Sequence, residues 1–178
     1  MESEILLETE RLILRRMTSG NFDALCGILK DPEVMYAYEG AFDDDMVRAW
    51  LENQMKRYEE PGMGLNAVIL KETGGFIGQC GLTRQSTPDG TVTEIGYLLR
   101  RDAWHNGYAT EAGLGCRGDA FEKLCEREVF SIIRDTNTAS QNVAKRLGME
   151  KRGMFVKHYR GVVMPHYVYS VRNDTPGK

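Results

Sequence analysis

Residues 105–112 read HNGYATEA. His105-Asn106-Gly107-Tyr108 is poor helix material, and Ala109-Thr110-Glu111-Ala112 is good material, so a helix starts at this junction. The first N–H groups of a helix have no partner one turn back, and the helix dipole makes that end positive. Gly107 and Ala109 are small enough for an anion to approach the backbone, and Thr110 adds a hydroxyl. The chemistry on offer is a phosphate or pyrophosphate cradle. The competing reading is an ordinary glycine loop ahead of a helix.

A second reactive group lies just upstream. In TVTEIGYLLR (91–100), Val92, Glu94, Gly96 and Leu98 share one face of a strand by their period of two. A carboxylate among apolar neighbours on a central strand has a raised pKa, which suits proton removal. Glu94 is the candidate base; the alternative is an exposed cross-strand charge pair. GLGCRG (113–118) matches the G-x-G-x-x-G fingerprint of a nucleotide-dependent oxidoreductase. That fingerprint follows its strand directly, whereas this one lies inside a helical stretch. Its glycines are expected to serve close packing on a sheet. His105, His158 and His166 show no metal-ligand spacing, and no metal is expected.

These groups need elements to hold them. RLILRR (11–16) reads as a first strand. A helix follows with Phe22, Leu25, Cys26 and Leu29 on one face, capped by Thr18 or Ser19 and ended by Asp31-Pro32. FDDDM (42–46) starts a second helix with three carboxylates at its positive end, and Pro61-Gly62 closes it. Residues 64–71, 75–84 and 91–100 form an antiparallel meander, turned at Gly74-Gly75 and Pro88-Asp89-Gly90. A helix from about 107 to 126, a fifth strand at 128–134 and a short helix at 140–148 come next. Two last strands, around 150–159 and 162–172, hinge near Arg160-Gly161. The fold class is α/β or α+β with a mixed sheet.

The 178 residues suit one domain, 1–178, with a core at about 7–172. A net charge of −3 gives no basic bias toward nucleic acid. No apolar run is long enough to span a bilayer, and MESEILLETE carries four glutamates where a signal peptide needs positive charge. A cytoplasmic protein with no membrane or nucleic-acid partner is expected. Cys26, Cys80, Cys116 and Cys125 read as reduced core thiols.

W-H-N-G-Y-A-T-E-A after E-I-G-Y-L-L resembles the acetyl-CoA-binding motif of the GNAT superfamily of N-acetyltransferases. It is most similar to the branch of ribosomal-protein N-terminal acetyltransferases. LETERLILRRMT (7–18) is similar to that branch's first strand, and NTASQNVAKRLGM (137–149) to its motif after the fifth strand. The resemblance implies a mainly antiparallel sheet of about seven strands with about four helices, splayed between the fourth and fifth strands. It implies acetyl-CoA as co-substrate and a primary amine as acceptor, the amine attacking the thioester directly in a ternary complex on a monomer or homodimer. The backbone of Tyr97, Leu98 and Leu99 would pair with the pantetheine arm. The loop from Trp104 through His105, Asn106, Gly107, Tyr108, Ala109 and Thr110 would hold the pyrophosphate. Asn137 matches the residue that reaches the pantetheine, and Asn142 a further contact or a surface residue. Ser140 matches a residue near the cofactor sulfur; its other reading is a plain helix cap. Tyr36, Tyr38 and Glu39 fall where the family builds its acceptor wall; their other reading is plain core and loop residues.

The chain also departs from the pattern. Trp104 stands where a Gln or Arg donor is usual, Ala144 where a Tyr often acts as acid, Met149 where an aromatic is usual, and Pro165 where many relatives have Asp. Ser140 is therefore the candidate proton donor to the leaving thiolate. The same departures leave a non-catalytic acyl-CoA-binding module as the alternative.

Overall fold

Alternating apolar residues build one eight-stranded sheet in the computed structural model, which describes residues 3–174. The elements in chain order are β1 (Ile5–Glu8), β2 (Leu12–Arg15), α1 (Phe22–Leu29), α2 (Asp44–Arg57), β3 (Gly64–Leu70), β4 (Gly75–Thr87) and β5 (Gly90–Leu99). They continue through α3 (Tyr108–Glu122), β6 (Glu128–Arg134), α4 (Thr138–Arg146), β7 (Glu150–Tyr159) and β8 (Val162–Arg172). The spatial order is β1-β2-β3-β4-β5-β6-β8-β7. Every pairing is antiparallel except β5 with β6, which is parallel.

The eighth strand is β1, inside the acidic stretch that sequence patterning passes over. It is four residues long, pairs Leu7 with Leu14 and Glu8 with Ile13, and sits at the sheet edge. A strand that short carries too little alternation to be seen without its partner.

Each face of the sheet buries its own core. On one face α3 and α4 cover Leu12, Leu14, Cys80, Leu82 and Ile133, using small residues such as Ala112, Cys116 and Ala120. On the other face α1 and α2 cover Leu65 and Ala67 with Leu25, Ile28, Leu29, Val47 and Leu51. Leu25, Ile28 and Leu29 are fully buried, each contributing roughly 1.5–3 kcal/mol relative to exposure. Asp43 caps α2 by accepting from the Met46 N–H at 2.8 Å, and Lys56 and Arg57 occupy its negative end.

Three expectations need correction. The helix begun at the junction ends at Glu122 rather than Glu126, because the chain turns through Cys125 at φ 55°. α4 begins at Thr138, and its cap is Asn137, whose Oδ1 accepts from the Ser140 N–H at 3.1 Å; Ser140 is not the cap. Of the four cysteines, only Cys80 and Cys116 are core thiols, with their sulfurs 3.7 Å apart; Cys26 is half-buried and Cys125 exposed.

The GLGCRG glycines lie in the interior of α3, not at a strand-to-helix turn. A Cβ at Gly115 would meet Leu7 of β1 at 2.6 Å, and one at Gly113 would meet Leu147 at 3.0 Å. These two glycines serve packing, though against an edge strand and α4. Gly118 faces open space and has no such reason.

Candidate functional site

The site forms where the sheet comes apart. β5 pairs with β4 along its full length, but with β6 it shares one register pair, Glu94 with Phe130. Two side chains bridge the strands there. The Glu94 carboxylate accepts from the Ile132 N–H at 2.9 Å, and the Ser131 hydroxyl donates to the Ile95 carbonyl at 3.0 Å. Beyond these bridges the strands diverge around a cavity of about 560 Å³. Gly96, Tyr97 and Leu98 line it from β5, and Ile132, Ile133 and Arg134 from β6.

Glu94 also lines this cavity. Burial pushes its carboxyl up to about 7, against the opposing pull of the Ile132 N–H, Lys157 and Arg57. Such a group exchanges a proton near neutrality. It is not an exposed charge pair.

The α4 side of the cavity holds Asn137 and Ser140. The Tyr97 phenol donates to the Ser140 carbonyl at 2.9 Å, and burial raises its pKa, so it stays protonated. Ala144 is fully buried in the core beneath.

On the opposite side stand Tyr38, Trp50, Arg57, Lys157 and His166. Tyr38 meets Trp50 edge-on, with ring centroids 5.8 Å apart. Burial lowers the His166 pKa, and its Nδ1 lies 2.9 Å from the Met164 carbonyl. The β7–β8 hairpin reaches this half through Lys157, His158 and Tyr159, which line the cavity. The Arg160 guanidinium packs 5.4 Å from the Phe42 ring centroid and 3.0 Å from the Met46 sulfur.

The predicted residues divide by position. Tyr97, Leu98, Asn137, Ser140, Glu94 and Tyr38 meet in one cavity. Tyr36 and Glu39 stand outside its wall; Glu39 instead pairs with Arg134 at 2.5 Å, and the Tyr36 carbonyl accepts from the same guanidinium at 3.1 Å. Leu99 is buried behind the wall, and the Trp104 indole donates to its carbonyl at 3.0 Å. Trp104 thus braces the loop. Asn142 is exposed on α4.

His105, Asn106 and Gly107 form an exposed loop off the end of β5, with His105 at φ 62° and Gly107 at φ 78°. The first turn of α3 closes with the Glu111 N–H donating to the Gly107 carbonyl at 3.0 Å. The N–H groups of Tyr108, Ala109 and Thr110 precede that bond and have no carbonyl one turn back. Asn106 braces the loop by donating to the Trp104 carbonyl at 2.8 Å.

Sequence reasoning missed the clamp on this loop. Arg11 donates to the Asn106 carbonyl at 3.0 Å and to Glu111 at 2.6 Å, and its guanidinium covers the Tyr108 ring at 4.6 Å. Glu111 also accepts from the Thr9 hydroxyl at 2.6 Å and the Arg11 N–H at 2.8 Å. Burial works against its charge, but these bonds hold its carboxyl below the usual range. Arg57 and Lys157 carried no motif signal, and Arg11 lay in the first-strand stretch with no role assigned; each joins the site through long-range packing.

The arrangement fits coenzyme A on two observations. The free helix N–H groups and left-handed Gly107 suit a pyrophosphate, and the gap between β5 and β6 leaves an unpaired strand edge for an extended arm. Among the described residues, no group of three or more His, Cys, Asp or Glu is placed to hold a metal ion, and no helix is long and apolar enough to cross a membrane.

Comparison with known proteins agrees with this geometry. The family described as acetyltransferase (GNAT) domain matches residues 11–150. The chain is 36% identical over 150 residues to YkkB of Bacillus subtilis, covering 84% of this chain and 87% of that one. It is 31% identical over 177 residues to the N-acetyltransferase p20 of Bacillus licheniformis, covering 93% and 94%. In fold it is similar to RimL, a ribosomal L7/L12 alpha-N-protein acetyltransferase solved in complex with coenzyme A. The TM-score there is 0.80, with 15% identity, covering 97% of this chain and 100% of that one. A family match over most of the chain, on a sheet split where an acyl-CoA arm would lie, shows that the protein belongs to the GNAT acetyltransferases and is an acyltransferase that draws its acetyl group from acetyl-CoA.

Proposed function

We propose that the protein acetylates a primary amine, a protein N-terminus or a small molecule, by direct attack in a ternary complex. The observation that carries this reading is the placement of Glu94. Its carboxyl lines the same cavity as Tyr97, Leu98, Asn137 and Ser140, at the point where β5 leaves β6.

Acetyl-CoA supplies the activated acyl group. The α3 N-terminus and Gly107 hold its pyrophosphate, and the Tyr97–Leu99 edge aligns its arm, with Asn137 beside it. Asn142 is a peripheral contact, and Tyr38 lines the acceptor side. Glu94 takes the proton from the acceptor ammonium, directly or through water, and leaves a neutral amine to attack the thioester carbonyl. Backbone groups at the strand gap polarise that carbonyl. Ser140 returns a proton to the departing thiolate. Holding both reactants in one cavity supplies much of the rate. The reading places the enzyme in the cytoplasm, as a monomer or homodimer.

The test is calorimetric titration with acetyl-CoA, with NAD as control ligand, followed by an amine screen. Acetyl-CoA binding alone, with turnover of an amine, is the expected result. Failure to bind acetyl-CoA overturns the reading.

A further inference from the structure

The acceptor half of the cavity carries an uneven charge. Glu94 is the sole carboxylate in the described wall, against Arg57, Arg134 and Lys157. Arg134 is neutralised by Glu39 at 2.5 Å. Arg57 at the end of α2 and Lys157 on β7 have no carboxylate within ion-pair distance among the described residues. Lys157 makes only a loose ring contact, 5.8 Å from the Phe155 centroid. Both stand close enough to Glu94 to favour its ionised form. His158 and His166 complete the same wall and add no negative charge.

We infer that the acceptor is a compact amino acid whose carboxylate is held by Arg57 and Lys157 while its amine faces Glu94. This rests on the acetyltransferase reading of the site. Two features carry it. Two partly buried cations without a carboxylate partner repel a polyamine or an aminoglycoside, and they complement an anion. The cavity of about 560 Å³ is shared with the acyl arm, which favours a small acceptor. When Glu94 has taken the amine's proton it is neutral, and the wall's positive charge is then balanced by the acceptor's carboxylate. The reaction conserves atoms: the N–C bond forms as the C–S bond breaks, the ammonium proton passes to Glu94, the departing thiolate takes a proton from Ser140, and the second nitrogen proton, lost as the amide forms, replaces it.

The experiment compares matched acceptors on the intact protein. Binding is measured with coenzyme A present, and turnover with acetyl-CoA. The pairs are amino acids against their α-amides, and phosphoethanolamine against ethanolamine, with spermidine and an aminoglycoside as polycations. The carboxylate member of each amino-acid pair is expected to win by about tenfold or more in binding and kcat/KM. Arg57→Gln and Lys157→Gln should each shrink that preference, and Lys157→Glu should invert it, with acetyl-CoA affinity unchanged. Equal or better use of amides or polyamines overturns the inference. So does a preference for the phosphorylated amine alone, or one that survives all three substitutions. Those outcomes leave the acetyltransferase reading standing; loss of acetyl-CoA binding in the parent protein removes both.

Discussion

Glu94 is half-ionised near pH 7 because burial opposes its charge more strongly than Ile132, Lys157 and Arg57 favour it. As the base, it gives kcat/KM an ascending limb with an inflection near 7. Glu94→Gln should abolish that limb and lower the rate by roughly 10²–10⁴-fold; nearly full turnover across pH would dismiss Glu94 as the base. The same shift has a sign in stability. A carboxyl with a folded pKa above its unfolded value holds its proton more tightly when folded. Stability is therefore greatest below the unfolded value, 4.5, and falls as pH rises to about 7. Glu94→Gln escapes that penalty. It should be more stable than the parent at pH 8 by on the order of 2 kcal/mol, and lose most of this advantage at pH 5. Melting curves at the two pH values check it.

At the scale of the element, glycines separate binding from packing. Gly107 sits at φ 78° with Arg11 alone nearby, its Nη2 3.5 Å from a built Cβ. Gly107→Val should cost roughly 1–2 kcal/mol of backbone strain and damage acetyl-CoA affinity more than folding. Unchanged acetyl-CoA binding would sink the cradle assignment. Within α3, Gly118 has open space where a Cβ would go, so Gly118→Ala should stabilise by about 0.5–1 kcal/mol. In β4, a Cβ at Gly81 would lie 2.1 Å from the Gly64 carbonyl, so Gly81→Ala should destabilise by about 2 kcal/mol or more. Denaturant titration of both variants checks the contrast.

In the whole molecule, a sheet with a core on each face holds β5 and β6 apart without unfolding either. β5 keeps its full ladder with β4, and β6 its full ladder with β8. Glu94 and Ser131 supply the bridges where the ladder between them stops. The β7–β8 hairpin then reaches across the gap to the α1–α2 connection through Arg160. Arg160→Ala should raise the acceptor KM several-fold while acetyl-CoA affinity and melting temperature change little, since an exposed contact of this kind is worth about 1 kcal/mol or less. Steady-state kinetics with each substrate varied in turn separates the two effects.

Seven of the eight strands, all four helices and the α3 junction were legible in the chain because each is signalled locally. Alternation marks strands, caps and glycines mark ends, and HNGYATEA puts its chemistry on adjacent residues. Glu94's environment was legible for the same reason, from the apolar residues beside it on one strand. Packing at a distance settled the rest. β1 exists through pairing with β2, Arg11 reaches Glu111 across the fold, and Asn137 rather than Ser140 caps α4 once the helix starts two residues earlier. The same distance effect pairs Glu39 with Arg134 instead of placing it in the acceptor wall, and brings Arg57 and Lys157 to face Glu94. No local pattern encodes such meetings, because they depend on how the helices and the β7–β8 hairpin dock on the sheet.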